Sequence, residues 1–486
     1  MKIMKKKYLI LLVLVASFTT CTDKFEEFNT DVKNPAIVKG ESLFSNAERL
    51  LARAISSTNV NLNIFKLMAQ YWTECTYIDE ANYDLVNRSI PDNVFEQYYQ
   101  GVLKDLQEAA ILIDAALPDA GEDVATHEAE QTNKLAIIEL LNVYAFQNLV
   151  DIFGDIPYTE ALDIEKISPM YDDAATIYGD LITRIDAALG DMDDSEASFG
   201  SADLIYNGDV EHWRKFGNSL KLKIAITMAD ANASLAKSTA EAAVTGGVFT
   251  SNDDNALFPF LSATHTNPIY EDLVQSGRND FVPANTIVDI MNDLADPRRP
   301  YYFTTIGGNY LGGSYGYESP YSLYSHIPDE IAAPNFPGIL MTYDEVLFYM
   351  AEAAQRDFSV GNNVGALYGD AIKASILFWG GTETEANNYV ASPDVHYATA
   401  PGTWREKIGT QAWIAFYTRG LEGYTIWRRM DYPIFNIGSL ITTYDEIPIR
   451  FPYPVSEQTL NKASYTAAAS AIGGDLISTP VFWDIN

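Results

Sequence analysis

Cysteine is almost missing from this chain: Cys21 and Cys75 are its two copies in 486 residues. At most one disulfide can form, so the fold has to stand on its core. Histidine is nearly as scarce. His127, His212, His265, His326 and His396 are scattered, and His127-Glu128-Ala129-Glu130 lacks the second histidine of a zinc helix. No glycine loop followed by lysine offers a phosphate cradle. Basic residues are outnumbered, with 32 Lys and Arg against 66 Asp and Glu, a net charge of −34. That balance argues against nucleic acid or anionic lipid as a partner, because each phosphate would add repulsion. No run of 18 or more apolar residues follows Phe18, so no spanning helix is expected in the body of the chain.

What is present begins at the amino terminus. Lys2, Lys5, Lys6 and Lys7 form a basic head, and the apolar run Tyr8–Phe18 is too short to cross a bilayer. It ends at Phe18-Thr19-Thr20-Cys21, the pattern of a lipoprotein signal. Residues 1–20 are then the signal peptide, Cys21 is the acylated residue, and 21–40 form a polar, lipid-anchored tether. Phe18 stands where such signals usually carry Leu. The plainer alternative is a secretory signal cut near Ala16 or Ser17. Removing residues 1–20 would take away four lysines and no acid, leaving the chain still more negative. If Cys21 carries lipid, Cys75 has no partner.

The body reads as an all-α protein. Phe95, Tyr98, Val102, Leu106, Ala109, Ile113 and Ala116 recur at helical spacing, giving one buried stripe. Leu135–Val150 is apolar nearly all round and stops at Gly154, with Pro157 beyond. Tyr171 opens a third striped segment, and 209–232 form a fourth. Residues 246–340 are rich in Gly, Pro, Asn and Tyr, and are expected to be long loops with short strands or turns. Helical pattern returns at 343–356, 363–379 and 404–418, and the tail from Tyr432 reads as loop. Paired helices with Tyr and Ala at packing positions are similar to tetratricopeptide repeats, without the strict 34-residue signature. No linker-like run divides the chain, so 41–486 is expected to be one domain with a loop-rich insertion at about 246–340.

Three blocks carry a family resemblance. Val143–Tyr158, ending in Asp151-Ile152-Phe153-Gly154-Asp155-Ile156-Pro157-Tyr158, is the first. Tyr343–Ala353 is the second, and Gly423–Pro433 followed by Ile447–Pro454 is the third. Together, and in this order, they resemble the signature of SusD/RagB-like outer-membrane nutrient-binding lipoproteins. The resemblance implies a SusD-like fold, with tetratricopeptide-like helix pairs supporting a loop-rich ligand-binding region. It also implies an outer-membrane anchor facing the cell exterior, a SusC-like TonB-dependent transporter as partner, and an oligosaccharide that is bound and not cut.

A sugar binder needs flat apolar faces for C–H groups and polar groups for hydroxyls. Seven of the 30 tyrosines fall between Tyr301 and Tyr324, interleaved with Gly307, Gly308, Gly312, Gly313 and Gly316. From this loop Tyr310, Tyr315, Tyr317 and Tyr321 are candidate contacts, with packing on the helices or the transporter as the alternative. A second cluster offers Trp72, Tyr77, Asn82 and Tyr83, where Trp72 serves either as an aromatic platform or as core. Arg278, in a Gly-led turn, is a candidate hydroxyl-binding donor.

Enzyme signals are weak. Gly312-Gly313-Ser314-Tyr315-Gly316 fits G-x-S-x-G, but Glu318-Ser319-Pro320 follows where a helix would have to open. Asp191, Asp193 and Asp194 hint at calcium, yet Glu196 occupies the position that needs Gly. The reading is therefore of a binder without catalytic residues, metal or cofactor. The alternatives are capture of peptides or another non-sugar nutrient, and a surface glycoside hydrolase.

Overall fold

The computed structural model describes residues 38–438 and 447–485. Cys21, the expected signal peptide and the expected tether up to residue 37 lie outside them. The chain divides into Met1–Lys39 and Gly40–Asn486, and the fold is that of the second unit.

Ten helices carry the scaffold: α1 (Gly40–Ser56), α2 (Lys104–Asp114), α3 (Val124–Phe153), α4 (Ala174–Asp191), α5 (Val210–Thr227), α6 (Ala233–Gly246), α7 (Tyr343–Gln355), α8 (Val364–Phe378), α9 (Trp404–Ala415) and α10 (Gly420–Met430). Consecutive members pack as pairs, α1 on α2, α3 on α4, and so on to α9 on α10. Residues 228–232 and 416–419 are all that join α5 to α6 and α9 to α10. Connections so short cannot run back along the preceding helix, so these pairs are antiparallel. The architecture is the expected all-α one, built from tetratricopeptide-like hairpins.

Local chemistry sets the helix starts. Asp123, Asp173 and Asp209 each accept a backbone N–H three residues on, from Thr126, Thr176 and His212. The cap at Asp173 corrects the expectation that Tyr171 opens α4. Tyr171 instead belongs to a two-residue strand. The middle of α3 is apolar on every face because it is surrounded, with 83% of its most apolar window buried inside the fold. It ends at Gly154, whose φ is +82.

Six short strands form three antiparallel ribbons: β1 (Trp72–Glu74) with β5 (Phe281–Pro283), β2 (Ile156–Pro157) with β3 (Tyr171–Asp172), and β4 (Ala256–Phe258) with β6 (Gly338–Met341). Three of these strands fall in 246–340, as expected, but that region also contains the helix Asn285–Asp293. Its Ile287, Val288 and Met291 form a buried stripe too short to stand out among glycines and prolines. The tail from Tyr432 is likewise not all loop, since Val455–Leu460 and Lys462–Ala471 are helical. The stripe from Phe95 to Ile113 runs through a π-helical segment, Gln97–Leu103, before α2.

Charges are buried where the helix pairs meet. Glu345 on α7 is fully buried, 3.5 Å from Lys223 on α5, and its other oxygen pairs with Arg419 at the start of α10. Tyr349 donates to the same carboxylate at 2.9 Å. Burial alone would raise the Glu345 pKa, but Lys223 and Arg419 outweigh it and hold the group below its usual range.

At the periphery, Asp230 is clamped by Arg356 at 2.8 Å and Arg405 at 2.9 Å. Burial opposes its charge, yet the hydrogen bonds and charges of the two arginines hold its carboxyl well below the usual range. A depressed folded-state pKa stabilises the fold above the ordinary Asp value of about 3.9. That stability is lost as pH falls toward the folded value. Asp230→Asn should therefore lower the unfolding midpoint at neutral pH, and the gap should narrow steadily as pH falls below about 4 in a chemical-denaturation series.

Candidate functional site

The site begins at the ribbon of β1 and β5, in register Trp72↔Pro283, Thr73↔Val282 and Glu74↔Phe281. The Cys75 N–H extends it by donating to the Asp280 carbonyl at 2.8 Å. The tyrosine-rich loop closes on the same ribbon. Gly313 N–H donates to Pro283 O at 2.9 Å, Asn285 N–H to Gly313 O at 2.7 Å, and Ser319 N–H to Cys75 O at 3.2 Å. Asn82 adds a side-chain bond to the Gly316 carbonyl at 2.9 Å.

Two glycines make this approach possible. A Cβ on Gly312 would lie 2.5 Å from the Asn285 Cα, and one on Gly316, whose φ is +71, would lie 2.4 Å from the Gly438 Cα. These glycines let the loop pack directly against the backbone at Asn285 and Gly438.

An open cleft of about 170 Å³ lies at the far end of this ribbon. The turn at Thr58–Asn61, the segment Glu74–Glu80, Arg88, and the stretch from Asp272 to Phe281 line it. Tyr77 stands at its mouth, 72% exposed, on backbone with φ +56. That left-handed conformation costs a tyrosine about 1 kcal/mol, and it points the side chain into solvent.

The cleft wall holds a carboxyl pair. Glu74 is buried, accepts the Ala81 N–H at 2.9 Å, and lies close enough to Glu80 to feel its charge. Burial, reinforced by the nearby Glu80 charge, pushes the Glu74 pKa far up and favours its protonated form. Glu80 in turn pairs with Arg88. On the opposite side Arg278 pairs with Asp280 at 2.8 Å. Asp272 accepts the Thr58 hydroxyl at 2.8 Å and its N–H at 3.3 Å.

Of the residues picked out from sequence, Tyr77 and Arg278 line this cleft. Trp72 does not face it. That ring is 1% exposed, and its indole N–H donates to the Tyr417 hydroxyl at 2.9 Å. Tyr83 and Tyr315 are buried with ring centroids 6.3 Å apart, and the Tyr315 hydroxyl donates to Leu67 O at 2.9 Å. Asn82 is buried as the tie to the loop. These four are buried and none of them lines the cleft, a correction to their reading as ligand contacts. Trp72 is covered by Tyr417 in the turn after α9, and Tyr315 by Tyr83 and the backbone at Leu67.

Tyr317 is 49% exposed on the loop. Tyr321 is half-buried, stacked on His326 with ring centroids 3.7 Å apart, and Tyr310 is half-buried beside Phe303. Sequence reading missed Asn59, Asn61, Arg88, Asp272 and Asp280. The dense asparagines of Asn59-Val60-Asn61-Leu62-Asn63 were the available sign of a polar turn.

Other candidate chemistry resolves structurally. Asp193 accepts from the Ser195 N–H and hydroxyl, and Asp194 pairs with Arg214 at 2.9 Å, so this acid cluster ends a helix. Among the described residues no group of three or more metal-ligating side chains converges. Ser314 sits in the loop with neither the strand nor the helix of a nucleophile elbow.

The same scaffold recurs in solved structures. A chitin-binding protein superimposes with a TM-score of 0.79 at 25% identity, over 92% of this chain and 100% of its own. A SusD homologue from Bacteroides uniformis gives 0.77 at 24%, over 92% and 99%. A chitin-binding SusD homologue from Flavobacterium johnsoniae gives 0.77 at 24%, again over 92% and 99%. No curated protein sequence matches the chain. The model of a SusD-like family, described as starch-binding and associating with the outer membrane, matches residues 32–454. Helix pairs, loop layer and sequence signature thus agree over most of its length, and the chain belongs to the SusD-like family.

Proposed function

We propose that this protein is a non-catalytic surface lipoprotein, anchored through Cys21 in the outer membrane. In this reading it captures an oligosaccharide and passes it to a SusC-like TonB-dependent transporter. The observation that carries the binding reading is Tyr77, an exposed ring at the mouth of a cleft walled by hydrogen-bonding side chains. A tyrosine face accepts the C–H side of a sugar, while Asn59, Asn61 and Arg278 supply partners for hydroxyls. Family membership supports a glycan ligand, and so does the similar structure described as chitin-binding. Handover to the transporter, surface orientation and acylation rest on that membership and on the amino-terminal pattern.

Tyr77→Ala should weaken oligosaccharide binding about tenfold, the upper end of what one stacked ring contributes. The melting temperature should not move, because the ring is exposed. Calorimetric titration of a glycan panel reads the first quantity and a thermal melt the second. Unchanged affinity in this variant would remove the cleft from consideration as the sugar site.

A further inference from the structure

Charge along the cleft wall balances pair by pair. Arg88 holds Glu80, and Arg278 holds Asp280. Asp272 accepts from Thr58 and lies within the field of Arg53 and Lys66. Burial favours the protonated form of Glu74. Net charge is thus a poor basis for choosing a ligand, and the direction of the free hydrogen bonds is a better one.

Both arginines are engaged through Nε alone, Arg88 at Glu80 Oε1 and Arg278 at 2.8 Å from Asp280 Oδ2. Among the described residues nothing hydrogen-bonds to the Nη groups of either. Each guanidinium is therefore held by one nitrogen and offers up to four further N–H bonds. Asn59 adds to this supply. Its Oδ1 accepts the Asn61 N–H at 3.0 Å and the Asn61 amide at 2.9 Å, which leaves its own NH2 group to donate. The carboxylates of the wall, by contrast, already have partners: Glu80 and Asp280 the arginines, Asp272 the Thr58 hydroxyl and N–H. Two apolar residues, Val60 and Phe281, line the same cleft.

A wall rich in donors favours a ligand group that only accepts. A sugar hydroxyl that accepts from an arginine must still place its own hydrogen. A carbonyl has none to place, and takes two donors at once. A protonated amine has no lone pair, and would bring a second cation to the guanidiniums. An acetamido group fits both parts of the lining, with its carbonyl for the Nη groups and its methyl for Val60 and Phe281.

We propose that the cleft recognises an N-acylated amino sugar, with Arg88 and Arg278 as the specificity-determining donors to the acyl carbonyl. The proposal rests on the reading of the cleft as the glycan site.

The test uses the tether-truncated chain and four β-1,4-linked oligomers of equal length, made of N-acetylglucosamine, glucosamine, glucose and glucuronic acid. The first three differ only in the group at C2. Titration calorimetry is run at about pH 6, below the pKa of such amines. The acetamido oligomer should bind about tenfold more tightly than the hydroxyl or amine form, the scale of one hydrogen bond from a charged donor. Arg278→Lys keeps the charge beside Asp280 but removes the planar fork, and should cut that advantage to about threefold or less. Arg88→Lys should act in the same way, and the two together should bring the ratio near one. A thermal melt reads folding separately. The Arg278 side chain is 65% exposed, so its variant keeps the fold and the ratio can be read there even where Arg88→Lys disturbs Glu80. Equal affinity for the acetamido and hydroxyl forms, a ratio unmoved in Arg278→Lys, or tightest binding of the glucuronate oligomer overturns the acyl assignment while leaving the glycan site in place. Failure of all four oligomers to bind overturns both.

Discussion

Glu345→Ala should lower the stability of the fold by about 3–5 kcal/mol, the cost of leaving buried partner charges uncompensated. Glu345 lies fully buried between Lys223 and Arg419, and Tyr349 points its hydroxyl at the same carboxylate. Removing it strands two cations in the interior between α5, α7 and α10. Glu422, 3.4 Å from Lys223, compensates only part of the loss. Guanidinium unfolding followed by far-ultraviolet dichroism measures the shift. Glu383→Ala, at an exposed helix start, is the control and should stay within about 0.5 kcal/mol. A Glu345→Ala midpoint as close to wild type as the control would show that the buried pairs are not what joins the helix hairpins.

The second large effect is expected at Trp72. Its ring is sealed against Phe281 and bonded to Tyr417. Trp72→Ala should cost about 3–5 kcal/mol through cavity formation, and it leaves the Tyr417 hydroxyl without its donor. Loss of glycan binding in this variant should follow loss of fold. Trp72→Phe distinguishes the two, with a lower melting temperature but an affinity, measured well below that temperature, within about twofold of wild type. A Trp72→Phe protein that melts normally and binds weakly would return Trp72 to the ligand surface.

These residues also show how far the sequence could be read. Helix pairs were legible because burial imposes a 3.6-residue period, and the stripe from Phe95 to Ile113 and the apolar α3 followed it. Asn285–Asp293 escaped because two turns of period cannot be separated from the glycine- and proline-rich text around them. Of the cleft lining, only part was legible. Tyr77 and Arg278 sit in segments with clear turn chemistry. Trp72, Tyr83 and Tyr315 share their composition and neighbourhood, and differ only in which face of a three-residue strand or loop they occupy. A strand alternates faces every residue, so its partner decides which ring is outside. Here the partner is more than 200 positions away. Asp272 and Arg88 could not be assigned to the cleft by spacing at all, since pairing at that range leaves no local signal.

That separation has a kinetic meaning. Gly316 donates its N–H to the Thr73 hydroxyl across 243 residues of chain, and such a contact can form only after the intervening loop entropy has been overcome. The cleft therefore matures late, once the segments from 58 to 88 have met those from 272 to 316. Ligand and native topology are then thermodynamically linked, so a saturating sugar should lift the melting transition of the entire domain as one cooperative unit.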